Sequence, residues 1–350
     1  MANQIRSTLV SLSIAFAVLG ASGFAQAPTI QKEFTIGCES CGGALEFSNI
    51  ADVGINSRGD VLVADKNAPF LREFSSTGKP LWSGGAKGKG PGEYIGITRI
   101  AWLSNGSYVI VDGSGNRVTA LTPEHTVATT TPLIAYSTTA AANNAGLIIL
   151  GQELPMGRGF ELFKWKTGVL DKIVPTVPAG KPAPTFDGAS VAVAPNGNIA
   201  LWPDANRYEI IRMDAAGLAL PGIVRTVERV RYTVVEDSIR REHMARSMAQ
   251  MRKMAGITSG PPVAKPEPLQ LKAHIYGDGM RYDPQGRLWV QTMRGNETHT
   301  VFDVFSPTGT FVGSVNMPEV VKQFALGGTW LVTASENEDG VPIVTRWRVR

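Results

Sequence analysis

Few residues in this chain have the type and spacing to do chemistry. Its four histidines are His125, His243, His274 and His299. They are scattered, and none has the H-x-x-x-H spacing by which a helix presents two metal ligands on one face. No G-x-S-x-G turn is present to expose a nucleophilic serine. The two cysteines stand as Cys38-Glu39-Ser40-Cys41. A structural zinc takes four Cys or His ligands, and there is no second pair. A thioredoxin-type redox motif belongs in a βαβ setting, which this sequence lacks. The expectation is a local disulfide between Cys38 and Cys41, with reduced thiols and redox chemistry as the alternatives. No catalytic residue and no metal ligand is expected from this set.

The elements that would position any site follow from an internal repeat. An x-x-Gly turn before an apolar strand recurs at Gly59, Gly106, Gly146, Gly197, Gly286 and Gly328, with spacings of 47, 40, 51, 89 and 42. A second strand pair follows each turn, as in Phe70–Phe74 before Ser76-Thr77-Gly78-Lys79 and Val301–Phe305 before Ser306-Pro307-Thr308-Gly309. Four short strands per unit of 40–50 residues predict an all-β, six-bladed β-propeller. The last unit stops at Val344–Val349, one strand short, while Thr29–Ile36 supplies a spare strand. Pairing the two would close the ring and remove an exposed edge. The propeller is expected over residues 29–350.

The doubled interval predicts an insertion between blades 4 and 5, over about 233–272. Val234–Ala255 reads as a helix, with Met244, Met248, Met251 and Ala255 on one face. Glu236 and Asp237 suit its start, and Gly256 suits its end. A linker with Pro261, Pro262, Pro266 and Pro268 follows. The Met face reads as packing on the propeller, or as a lid or partner-binding surface.

Several segments resemble a known family. Val109-Ile110-Val111-Asp112 with Asn116-Arg117-Val118 is similar to the NHL repeat, with looser copies at Val63-Ala64-Asp65 and Asp204-Ala205-Asn206-Arg207. Gly85 to Tyr94 resembles the Gly-rich GPGE linker of bacterial six-bladed propellers of that group. The resemblance implies the fold and says almost nothing about function, because such propellers host many activities. Calcium-dependent lactonases are among them, so the alternative is a metal-dependent hydrolase or lyase using Ca2+ in the channel. Asp52 and Asp278 could serve as ligands, but Arg99 and Arg281 would oppose a cation.

In each innermost strand, residues four and six before the turn glycine are mostly bulky (Ile55, Trp102, Val53, Ile100) and should pack between blades. Residues five and seven before it should then face the channel. Five back gives Gly54, Ala101, Ala141, Ala192, Arg281 and Gln323; seven back gives Asp52, Arg99, Thr139, Ser190, Gly279 and Val321. The predicted ligand-binding mouth comprises Asp52, Arg99, Thr139, Ser190, Asp278, Arg281 and Gln323. The arginines favour an anionic ligand. Asp65, Asp112 and Asp204 sit on loops of the same end and read as turn caps.

Residues 1–25 read as a signal peptide. Arg6 is their only charge, an apolar run follows from Leu9 to Leu19, and small residues lead to Ala25. That run of about 11 residues is short against the ~20 that span a membrane. Removing residues 1–25 changes the net charge from +4 to +3, which is no footprint for nucleic acid. Export to the periplasm or the exterior is expected. The function expected is non-catalytic binding of a protein, peptide or glycan on the loop face at the channel mouth, with no cofactor.

Overall fold

The computed structural model describes residues 26–103, 105–133, 139–143, 148–153, 160–166, 169–173, 190–204, 206–254 and 271–350. The protein is an all-β propeller carrying one long helix. Among the described residues there are six four-stranded antiparallel sheets and one two-stranded parallel ribbon. The first sheet comprises Ile50–Ile55, Val61–Asp65, Leu71–Phe74 and Pro80–Gly84. The second runs from Ile97–Trp102 to Val127–Pro132, and the third from Thr139–Ala142 to Val169–Ile173. The fourth runs from Ser190–Val193 to Ala219–Val224, and the fifth from Ile275–Tyr282 to Phe311–Met317. The sixth contains Gln323–Gly327, Trp330–Glu336 and Pro342–Val349. Its fourth strand is Ile30–Ile36, which pairs antiparallel with Pro342–Val349 in the register Ile30↔Val349 to Ile36↔Val344. Each innermost strand touches those of two other sheets, in the cyclic order first, second, third, fourth, fifth, sixth, first.

The turn glycines have a physical reason. Gly59, Gly106, Gly197 and Gly286 take φ of 86°, 85°, 90° and 79°, where a Cβ would be strained. Each donates its N–H to the carbonyl three residues earlier, at 2.9–3.1 Å. Gly328 (φ 59°) lies in a tighter turn, because Gly327 already pairs with Trp330. Gly146 lies outside the described residues.

The core is divided into clusters between neighbouring sheets. Val53, Ile55, Val61 and Val63 of the first sheet meet Val332, Ala334 and Val344 of the sixth. On the opposite face of the first sheet, Leu62, Ala64 and Leu71 meet Ile100, Trp102 and Ile110 of the second. Burying each such side chain contributes roughly 1.5–3 kcal/mol. This packing qualifies one expectation. The residues expected to face the channel also pack between sheets, because both faces of an innermost strand adjoin neighbouring sheets. Gly54 illustrates the point: a Cβ there would meet the Ile100 side chain at 3.7 Å. Ala141 packs with Val191 and Val193, and Ala192 with Met280. The small residues are small because adjoining innermost strands converge on the axis.

The helix spans Val234–Met254, close to its predicted extent. Thr233 and Glu236 form a reciprocal cap: Glu236 N–H donates to Thr233 Oγ1 at 3.1 Å, and Thr233 N–H to Glu236 Oε2 at 2.8 Å. Lys272 Nζ also reaches Glu236, and an Arg231–Leu271 bridge pins the base of the insertion. Met244 of the expected Met face is 40% exposed and Val234 is 89% exposed, while Met248 is half-buried. The Met251 side chain, Ala255, Gly256 and the Pro-rich stretch lie outside the described residues, as do residues 1–25.

Candidate functional site

Four of the predicted mouth residues come together as one ion network. Arg99, on the innermost strand of the second sheet, donates through Nη1 to Asp52 Oδ1 of the first sheet at 2.9 Å. Through Nη2 it reaches Asp278 Oδ2 of the fifth sheet. Asp52 Oδ2 also accepts the Ile100 N–H at 2.8 Å. Arg281 Nη1 lies 3.6 Å from Asp278 Oδ1 and donates to the carbonyls of Asp278 and Met280, each at 2.8 Å. The Arg281 guanidinium stacks over the Phe324 ring of the sixth sheet, 5.2 Å from its centre. Four sheets therefore contribute to one cluster.

The backbone that aims Asp278 is unusual. Ile275–Tyr282 shifts register against its partner between Ile275 and Met280, and Asp278 within that bulge has φ 62°. The following Gly279 has no room for a side chain, since a Cβ would stand 2.7 Å from the Tyr276 carbonyl. Bulges re-aim side chains in this way, and a left-handed non-glycine residue persists only where its surroundings hold it.

Asp52 and Arg99 are buried, whereas the Asp278 side chain is 31% exposed. Burial pushes the Asp52 carboxyl above the usual range, against the opposing charges of Arg99 and Arg281 and the Ile100 N–H. Burial lowers the Arg281 pKa, and the positive Arg99 lowers it further. Burial also acts to lower that of Arg99, but Asp278 and Asp52 outweigh it and the net shift is upward.

Next to the cluster is a cavity of about 300 Å3. Asp52, Arg99 and Arg281 form part of its wall. Gly54, Ala101, Ala141, Ala192 and Ala325 continue it, and the turn residues Asn56, Ser57, Leu103, Pro195 and Pro284 lie at the other end. The cavity thus extends toward the hairpin turns. The Cys38–Cys41 loop, the Gly85–Tyr94 linker and the helical insertion all join an outer strand to the next innermost strand, at the opposite end. The Asn56, Ser57, Asn143 and Pro195 contribution went unread in the sequence, because turn residues signal a bend and not what the bend encloses.

Ser190 and Gln323 do not join the network. Ser190 is fully buried, and its Oγ has no hydrogen-bond partner. Gln323 is half-buried at the start of the sixth innermost strand; Ala325, two residues on, lines the cavity instead. The Thr139 side chain lies outside the described residues. Cys38 and Cys41 are joined as a disulfide, with Cα atoms 5.9 Å apart.

Asp65 and Asp112 end the second strands of their sheets and grip the chain entering the same sheet. Asp65 accepts the N–H groups of Ser48, Asn49 and Asn67 and pairs with Arg72 at 2.7 Å. Asp112 accepts the N–H groups of Ile95, Gly96 and Gly115 and pairs with Arg117. Arg117 in turn donates to the carbonyls of Gly88, Lys89 and Glu93, fixing the Gly-rich linker. Asp204 caps its own turn, accepting the Asn206 N–H at 2.8 Å. A further buried carboxylate was missed: Asp303 accepts from the Tyr208 hydroxyl at 2.8 Å and from Ser314, Arg225 and Arg294. A lone acid inside Val301–Phe305 was the available signal.

The donor set does not suit calcium. Asp52 and Asp278 are both committed to Arg99. Among the described residues, no three His, Cys, Asp or Glu side chains gather as cation ligands.

No known family's sequence profile matches the chain, and no curated protein matches it. Solved structures do. A candidate exported protein from Bacteroides fragilis is similar at a TM-score of 0.52 and 11% identity, covering 92% of this chain and 95% of its own. A member of the DUF4221 family from Bacteroides vulgatus is similar at 0.54 and 8% identity, covering 93% and 99%. A gluconolactonase from Xanthomonas campestris is similar at 0.50 and 10% identity, covering 87% of each chain. Identities this low speak to the fold alone.

Proposed function

We propose that this chain is an exported, non-catalytic binding propeller of six blades, akin to the NHL-repeat group, that holds its ligand in the central channel. The blade count is supported by the six four-stranded sheets and the cyclic contacts of their innermost strands. Closure by the first strand after the signal peptide is supported by the Ile30–Ile36 pairing. Export is supported by the composition of residues 1–25. Among the described residues, no helix is long and apolar enough to cross a membrane.

The observation that carries the binding reading is the Asp52–Arg99–Asp278–Arg281 network beside a cavity of about 300 Å3. Buried charge is expensive, and a fold that needed only stability would fill this space with apolar side chains. Cavities with small apolar walls and a few convergent polar groups are where ligands bind. The ligand is a small molecule, or the end group of a peptide or glycan that fits the cavity.

The test is a thermal-shift screen of small molecules, peptides and glycans on the chain from Gln26 onward. The expected result is a set of ligands that stabilise the wild type and not Ala325→Phe, whose larger side chain would occupy the cavity that Ala325 lines. Stoichiometric calcium or zinc by elemental analysis, together with ester or lactone hydrolysis that disappears in Asp52→Asn, would instead make this an enzyme.

A further inference from the structure

The channel network lies across the axis of the ring. In the cyclic order of the sheets, the fifth stands opposite the second, three places away in either direction. Arg99 of the second sheet nevertheless meets Asp278 of the fifth. Asp52 of the first sheet anchors the same guanidinium at 2.9 Å, and the bulge at Asp278 carries its carboxylate to the axis. Asp52, Arg99 and Arg281 belong to the cavity wall, while Asp278 stands outside it with its side chain 31% exposed. The bridge therefore has the cavity on one side and, on the other, the end of the ring where the helical insertion emerges.

Exposure rises away from the bridge. In the first sheet Asp52 is fully buried, Asn56 is half-buried and Ser57 at the turn is exposed. In the second, Arg99 is buried while Ala101 and Leu103 are half-buried. Ala325 of the sixth is half-buried, and Pro284 at the turn of the fifth is exposed. The cavity is thus a pit whose opening lies among the hairpin turns. The charged side chains in its wall are Asp52, Arg99, Arg281 and Asp283, and they are matched. Asp52 pairs with Arg99, Arg281 lies 3.6 Å from Asp278, and Asp283 pairs with Arg287 at 2.6 Å. An ion entering the pit would shed its water and meet, among the described residues, no unmatched charge to replace it. An uncharged molecule escapes that cost and gains contact with Ala101, Trp102 and Ala325.

We propose that the central channel is a blind pit, closed at one end by the Arg99–Asp278 bridge, that admits small uncharged molecules through the ring of hairpin turns. This rests on the binding reading above and specifies the charge of the ligand and its route.

Ala325→Cys places a thiol in the cavity wall, and with Cys38 and Cys41 held as a disulfide its modification rate reads access directly. The probes are neutral methyl methanethiosulfonate and its cationic trimethylammonioethyl and anionic sulfonatoethyl analogues, each rated against the urea-unfolded chain. The neutral probe is expected to keep about tenfold or more of its unfolded rate relative to either ion, a modest part of what desolvating an ion costs. Ser57→Trp with Pro195→Trp sets indoles on opposite sides of the turn ring and should suppress modification. Pro284→Trp takes the place of Pro195→Trp if that pair lowers the melting temperature. Tyr276→Trp, at the end where the insertion emerges, should leave the rate unchanged. Adding Asp278→Gly to the blocked chain, which suits the left-handed backbone at that position, should restore modification by opening the floor. Ions reacting as readily as the neutral probe, a turn block without effect, or a block that Asp278→Gly does not relieve overturns the proposal and leaves the thermal-shift screen to judge binding. A thiol that no probe reaches in the folded chain overturns the binding reading as well.

Discussion

Asp65 and the channel cluster are both buried carboxylate–arginine assemblies, and they differ in what lies beside them. Asp65 gathers three backbone N–H groups, the Ser48 hydroxyl and Arg72, and ties the incoming chain to the first sheet. The channel cluster joins four sheets. Each leaves one guanidinium nitrogen buried without an acceptor, Arg72 Nε in the first and Arg281 Nη2 in the second. The second alone adjoins the cavity that Asp52, Arg99 and Arg281 line. Burial and charge are alike in the two; the adjoining cavity separates a site from a fastening.

The largest expected effect comes from breaking the fastening. Asp65→Ala leaves Arg72 and three N–H groups buried without their acceptor, and should lower the unfolding free energy by about 3–5 kcal/mol, as removal of one partner of a buried ion pair does. Urea denaturation measures it; a loss no larger than that of an average surface substitution would show that the two clusters are not distinguished in this way.

Acid sharpens the contrast. Burial acts to raise the Asp65 pKa, but the Ser48 and Arg72 hydrogen bonds outweigh it and the folded pKa lies below the ordinary aspartate value. Its stabilisation is therefore complete above the unfolded pKa and is lost as pH falls through the folded one. Wild-type stability should decline between about pH 5 and pH 2, and Asp65→Asn should flatten that decline. Asp52 has the opposite sign. Its folded pKa is raised by burial, so protonation favours the folded state and Asp52→Asn should leave the decline intact. Stability curves across this range for the two variants check both statements.

Arg281→Met should cost about 1 kcal/mol or less in stability, because the lost carbonyl hydrogen bonds are offset by removing an unpartnered donor. Denaturation of this variant alongside Asp65→Ala gives the two halves of the comparison directly. The smallest effect concerns the loop that leads to Ser48. Replacing Cys38 and Cys41 by serine opens a very short loop, worth about 1–2 kcal/mol in the chain-entropy account, and should leave ligand binding in the channel unchanged. A melting curve with and without reductant measures it.

Much of this architecture can be read from the chain. Glycines at fixed places before Val61, Tyr108 and Leu288 announce turns that require positive φ, and positive φ is a local property. The helix over Val234–Met254 is announced by Glu236 and Asp237 near its start and by the spacing of its methionines. The spare first strand and the truncated last unit imply each other by counting. The site was only half legible. Asp52, Arg99, Asp278 and Arg281 are conspicuous as charges in apolar strands, and Gly54, Ala101, Ala141 and Ala192 line the cavity, but so do Val53, Ile55, Ile100 and Trp102, which alternation placed between blades. Period-two reasoning assumes one packed face and one free face, whereas here both faces are packed.

The sequence by itself determined the repeat, its strands and turns, and the polar residues placed where each unit begins, because those follow from backbone preference and hydrophobic spacing along neighbouring residues. Only the tertiary structure decided that Arg99 meets a carboxylate 179 positions away, that Arg281 keeps a donor unspent, and that a cavity lies beside it. Those facts depend on how sheets converge around an axis, and distances between sheets are set by packing of the whole ring, which no local stretch of the chain encodes.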